Sequence, residues 1–106
     1  MIIISTNEIP GKTISETLGI ARGSTVRARH LGRDIFAGLK NLVGGEISEY
    51  TRLLADAREE ALQRMVLDAG RMGADAVIMV RFTTSTVMSG CSEILAYGTA
   101  VKISSN

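Results

Sequence analysis

Residues 46–72 carry the feature that most constrains this chain. Ile47, Tyr50, Leu54, Ala57, Ala61, Met65, Ala69 and Met72 recur at every third or fourth position. That spacing keeps one stripe of an α-helix facing one way. Leu53 and Leu62 widen the stripe, and Gly73 supplies a stop. Glu49 with Arg52, Glu60 with Arg64, and Asp68 with Arg71 stand at helix-supporting spacings, each contributing about 0.2–0.5 kcal/mol. At ~1.5 Å per residue the helix spans roughly 40 Å. It is too long to lie over one short hairpin and requires a broad sheet or a neighbouring molecule.

The remainder reads mostly as strands. Residues 2–5 are β-branched and extended, and Pro10-Gly11 marks a turn. Residues 12–29 are ambiguous. Thr13 and Glu16 resemble a capping box closed by Gly19, yet Ile14, Leu18 and Ile20 alternate as in a strand, with Glu16 the exception on the apolar side. The favoured reading is one long strand bent at Gly19 and Gly23, where missing side chains permit a bulge. Leu31, Ile35, Leu39 and Leu42 predict a short amphipathic helix over residues 31–43, ended by Gly44-Gly45.

Residues 75–85 form a strand, with residues 76–80 apolar on both faces. Residues 86–92 turn the chain at Gly90, and residues 93–103 form the last strand. Leu95, Tyr97, Thr99, Val101 and Ile103 share one face of it. Ile94, Ala96, Gly98 and Ala100 share the other, where the small residues make a shallow trough for the long helix. The order is strand, helices, strand, strand (β-α-α-β-β). This is a single α+β domain, residues 1–106, with helices packed on one face of an antiparallel sheet. The uncovered face, with Leu95, Tyr97, Val101 and part of the 77–80 run, is too apolar to stay wet.

Composition supports assembly. A chain of 106 residues has room for one domain, yet its mean hydropathy is +0.19, which directs some apolar surface toward another subunit. A net charge of +1 supplies no pull toward nucleic acid or anionic lipid. The charges are segregated, however. Arg22, Arg27, Arg29, Arg33 and Lys40 precede the helix with only Asp34 among them, while residues 46–68 carry six acids, Glu46, Glu49, Asp56, Glu59, Glu60 and Asp68, against three arginines. Either these are solvated faces or the two segments meet across a subunit boundary. The lone Cys91 rules out an internal disulfide framework. The first residues lack a leader pattern and no apolar run is long enough to span a membrane, so the expected location is cytoplasmic.

One ordered set of short segments runs through the chain: Arg33-Asp34-Ile35-Phe36-Ala37, Val43-Gly44-Gly45, Tyr50, Ala57-Arg58-Glu59, Gly73-Ala74-Asp75-Ala76-Val77 and Gly98-Thr99-Ala100-Val101. Together these resemble the YbjQ-like family, bacterial proteins of unknown function labelled as heavy-metal-binding. The resemblance implies a dodecin-subunit-like fold assembling into rings, as homopentamers. It also implies that residues 12–29 are extended. Arg27-Ala28-Arg29-His30 is a basic departure from some relatives.

No motif specifies a reaction or a cofactor. A soft metal ion would find a thiolate and a thioether at Cys91 and Met88, against the plainer reading of two loop residues. A ring could bring several copies of such a pair to its axis. No Cys-x-x-Cys or histidine pair offers a zinc site within one chain. Cys91 as nucleophile would need His30 as base, and nothing brings the two together. An anion site is the other candidate. Gly44 and Gly45 precede the long helix, whose N-terminal dipole favours negative charge, and Arg29 and Arg33 stand nearby, with Asp34 as an ion-pair partner. Glu46 and Glu49 occupy the same first turn and compete for it. The expected function is therefore a ring-forming domain that binds a small ligand or ion, or acts as a scaffold. Heavy-metal binding or trafficking, and an enzyme with a pocket at a subunit boundary, are the alternatives.

Overall fold

A computed structural model of the chain describes residues 1–28, 45–88 and 91–105. They form one short strand, one long strand, a helix and a two-stranded hairpin: β1 (Ile2–Ile3), β2 (Lys12–Ala28), α1 (Gly45–Arg71), β3 (Ala76–Met88) and β4 (Cys91–Ser105). The fold is α+β. The short helix expected over residues 31–43 lies outside the described residues. Two strands precede α1 where the sequence order counted one.

The helix follows its sequence pattern. Ala57, Ala61, Met65 and Ala69 are fully buried along one stripe. Its end is a Schellman motif: the Ala74 amide donates to Ala69 O at 3.1 Å, the Gly73 amide to Gly70 O at 3.0 Å, and Gly73 has φ +82°. Glycine holds that left-handed position without steric cost. The Glu60–Arg64 pair forms as its spacing suggests. Asp68 instead turns to the sheet.

The strands form one four-stranded sheet in the order β1-β3-β4-β2. β2, β4 and β3 are antiparallel neighbours, whereas β1 joins β3 in parallel, so the sheet is mixed at one edge. The chain must pass from β1 at one edge to β2 at the other. On the way it lays Ile4 and Ile9 against Ala76, Ile78 and Val101, on the face opposite the helix. Val101, expected on the uncovered face, is therefore buried.

On the helix side, Ala21, Val77, Ile94, Ala96 and Ala100 meet Ala57, Ala61, Met65 and Ala69 in one core. The trough of small residues on β4 is thus where the helix side of the sheet is filled. Gly23 lets α1 approach β2 still more closely. A Cβ there would come within 2.4 Å of Ala61 O and 2.3 Å of the Met65 amide nitrogen. Gly23 is not a bulge, since its pairing with Ala96 continues the register on either side.

The bulges in β2 fall at residues 14–16 and 17–19, with Gly19 at φ +130°. They resolve the misplaced Glu16. Ile14 pairs with Ile103 and Glu16 with Lys102, so an extra residue turns the strand over and the two side chains leave on opposite faces. A third bulge, between Ile78 and Arg81 in β3, has Met79 at φ +55°. It ends the doubly buried run, which covers Ala76, Val77 and Ile78 but not the exposed Met79. The turn expected over residues 86–92 is much tighter: β3 and β4 continue to a pairing of Met88 with Cys91.

Candidate functional site

The sheet face opposite α1 presents exposed apolar and charged side chains together. Among the described residues, the Ile4 and Ile9 crossing covers its end at Ala76, Ile78 and Val101. Beyond that, cross-strand pairing sets Arg22, Tyr97 and Arg81 in one row across β2, β4 and β3. The adjoining rows are Ser24–Leu95–Thr83 and Ile20–Thr99–Ile78. Ile20 is 63% exposed, Val26 56% and Tyr97 37%, and Leu95 is half-buried. Arg81 is held at its edge, where Nη1 donates to Ser5 O at 2.8 Å.

The outer edge of β2 is closed by the helix over a short length. The Arg22 amide donates to Asp68 Oδ2 at 3.0 Å. Arg64 donates to Ser24 O and is held by Glu60. These contacts occupy the backbone groups that another strand would take. Sequence reasoning assigned Asp68 to Arg71 and missed this edge, because the contact joins residues far apart in the chain. Arg22 was visible as part of the basic segment, and Tyr97 as an outward residue of β4. That they are neighbours depends on the β2–β4 register.

The sequence-predicted site residues fall in two places. Gly45 is the first residue of α1. Gly44, Arg29, Arg33 and Asp34, which would complete the anion site, lie outside the described residues. Met88 ends β3 and Cys91 begins β4, and the two are direct Cα partners across the hairpin. Their backbones are described and their side chains are not. Among the described residues no three His, Cys, Asp or Glu side chains gather as a metal centre would require. No helix is long and apolar enough to cross a membrane.

The YbjQ family model, described as "Putative heavy-metal-binding", matches residues 1–104. The chain belongs to the YbjQ family. UPF0145 proteins are similar to it over nearly their whole length. That of Methanosarcina acetivorans is 63% identical over 97% of each chain. That of Archaeoglobus fulgidus is 58% identical over 97% of this chain and 95% of its own. The one from Photobacterium profundum is 55% identical over 97% and 100%. Archaeal relatives stand beside bacterial ones, so the family is wider than the bacterial group the resemblance implied. Among solved structures, a protein of unknown function from Pediococcus pentosaceus in the DUF74 family is similar, with a TM-score of 0.64, 18% identity and 98% of each chain covered. At that identity the likeness speaks for the fold.

Proposed function

We propose that this YbjQ-family chain is the subunit of a ring-forming, non-catalytic protein that binds a small ligand or ion, or serves as a scaffold, with five copies in the ring. The observation that carries the reading is the exposure, among the described residues, of Ile20, Val26 and Tyr97 on the sheet face opposite α1. The pentameric count rests on the family resemblance alone. The reading puts the ring in the cytosol, away from nucleic acid and membrane, in keeping with the near-zero net charge. Light scattering on the purified chain at micromolar concentration tests it: a multiple of 11.3 kDa is expected, and a stable monomer ends the reading.

Within that ring, a small anion would be held by Arg29, Arg33, Gly44 and Gly45, with Asp34 orienting an arginine. Gly45 opens a helix of 27 residues, whose free amides and dipole favour negative charge. Calorimetric titration with inorganic phosphate, beside Arg33→Ala, is the test. Absence of binding by the wild type removes the site.

The second reading is a soft metal ion at Met88 and Cys91. It is favoured by their direct pairing across the hairpin, by the donor chemistry of thiolate and thioether, and by the family description. Titration with Cu(I) and Zn(II) should show weaker binding by Cys91→Ser than by the wild type. Equal affinities would remove Cys91 from consideration.

A further inference from the structure

Residues 2–9 form a strap more than a strand. Ile2 and Ile3 pair with β3 in parallel. Beyond them the strap is pinned to one short stretch of β3. The Ile4 amide donates to Val77 O at 3.0 Å, the Val80 amide to Ile4 O at 3.0 Å and the Met79 amide to Thr6 O at 3.0 Å. Arg81 Nη1 donates to Ser5 O at 2.8 Å. Ile4 and Ile9 lie over Ala76, Ile78 and Val101, a cluster distinct from the core beneath α1.

The stretch that the strap grips is the bulge of β3. Met79 and Val80 stand between the pairs Ile78–Thr99 and Arg81–Tyr97, so two residues face Gly98. Met79 has φ +55°, a left-handed conformation that is costly for a residue with a Cβ. Such a conformation persists where its surroundings hold it. Here the holding groups belong to the strap, since Thr6 O and Ile4 O accept the two amides of the bulge. The strap runs into Pro10 and Gly11, and Gly11 takes φ +78°. Swinging from that turn, it can leave β3 without breaking the pairing of β2, β4 and β3 or the seat of α1.

We propose that residues 2–9 are a strain-loaded strap, which opens as a unit while α1 and the antiparallel strands stay closed. The strain at Met79 is stored in the closed form and released on opening. Opening uncovers Ala76, Ile78 and Val101. Ile78 shares a row with Thr99 and the exposed Ile20, so the apolar sheet face then runs on to its end. The strap is a conformational control on the extent of that face.

Hydrogen exchange of the full chain tests this, under native conditions where protection reports the opening equilibrium. The amides of Ile2, Ile4, Met79 and Val80 should share one level of protection, well below that of Ala61 and Met65 in α1. Met79→Gly relieves the closed form, and the strap amides should then exchange roughly fivefold to tenfold more slowly. Met79→Ala keeps a Cβ, and with it the strain, and should leave them unslowed. Met79 is exposed, so neither variant empties a buried site. Strap amides as protected as those of α1 would overturn the separate opening. Strap amides that are not slowed in Met79→Gly, whatever happens in α1, would show that the strain survives opening and would overturn the loading.

Discussion

Gly23 lies directly under Ala61: a Cβ at Gly23 would sit 2.4 Å from the Ala61 carbonyl oxygen, 2.3 Å from the Met65 amide nitrogen and 2.6 Å from Arg64 Cβ. Two of these are helix backbone atoms, which cannot turn aside as a side chain can. Gly23→Ala must therefore lift α1 off β2. The expected loss is about 2–3 kcal/mol, read as a lower denaturant midpoint. A midpoint equal to the wild type would mean that the helix does not cross there.

Met65 is the largest fully buried side chain of the helix stripe. Its neighbours are mostly alanines, which cannot collapse into a vacated space. Met65→Ala should cost about 2–5 kcal/mol. Substitution of the exposed Gln63 by Ala, two positions away, should change stability by less than about 0.5 kcal/mol. Chemical denaturation of the two variants side by side separates the buried stripe from the outer side.

Thr25 is the one buried polar residue among the described residues, and its hydroxyl donates to Ala57 O at 3.1 Å. Thr25→Val keeps the shape and removes the donor. Since Ala57 O also accepts within the helix, the expected cost is about 0.5–1.5 kcal/mol. Thr25→Ala should cost more, because it opens space as well. An equal loss for both variants would show that the hydroxyl contributes nothing beyond its volume.

Asp68 covers the Arg22 amide at the outer edge of β2. In Asp68→Ala that amide has no acceptor and should exchange with solvent faster, while the amides on the β4 side stay protected. Asp68→Asn retains a carbonyl oxygen and should restore much of the protection. Hydrogen exchange resolved by residue checks this. Unchanged exchange at Arg22 in Asp68→Ala would mean that another group covers the edge.

What the sequence revealed follows from the range of each interaction. The Ala57–Ala61–Met65–Ala69 stripe and the Ala96–Gly98–Ala100 trough were legible, because helix and strand periodicities are local and each pattern reports its own burial. Glu16 looked misplaced because a bulge breaks the two-residue period, and nothing in Ile14-Ser15-Glu16 announces one. Gly23 was recognised as special, but its reason is a helix some forty residues later in the chain. The burial of Val101 depends on the path of residues 4–11 across the sheet, which composition does not encode. For the candidate site, Met88 and Cys91 were placed at one turn, and the hairpin pairs them directly. The row of Arg22, Tyr97 and Arg81 needed the register of three strands. Tyr97 was expected on an uncovered face, and that part of the expectation describes the molecule well.

The most direct test of the account is hydroxyl-radical footprinting of the sheet face in the undiluted protein. Ile20, Leu95 and Tyr97 are predicted to be shielded by a neighbouring copy, and to become labelled once dilution yields monomer. Rapid labelling of Ile20 and Tyr97 in the undiluted wild type, at the level their exposure of 63% and 37% in a single copy allows, would contradict it.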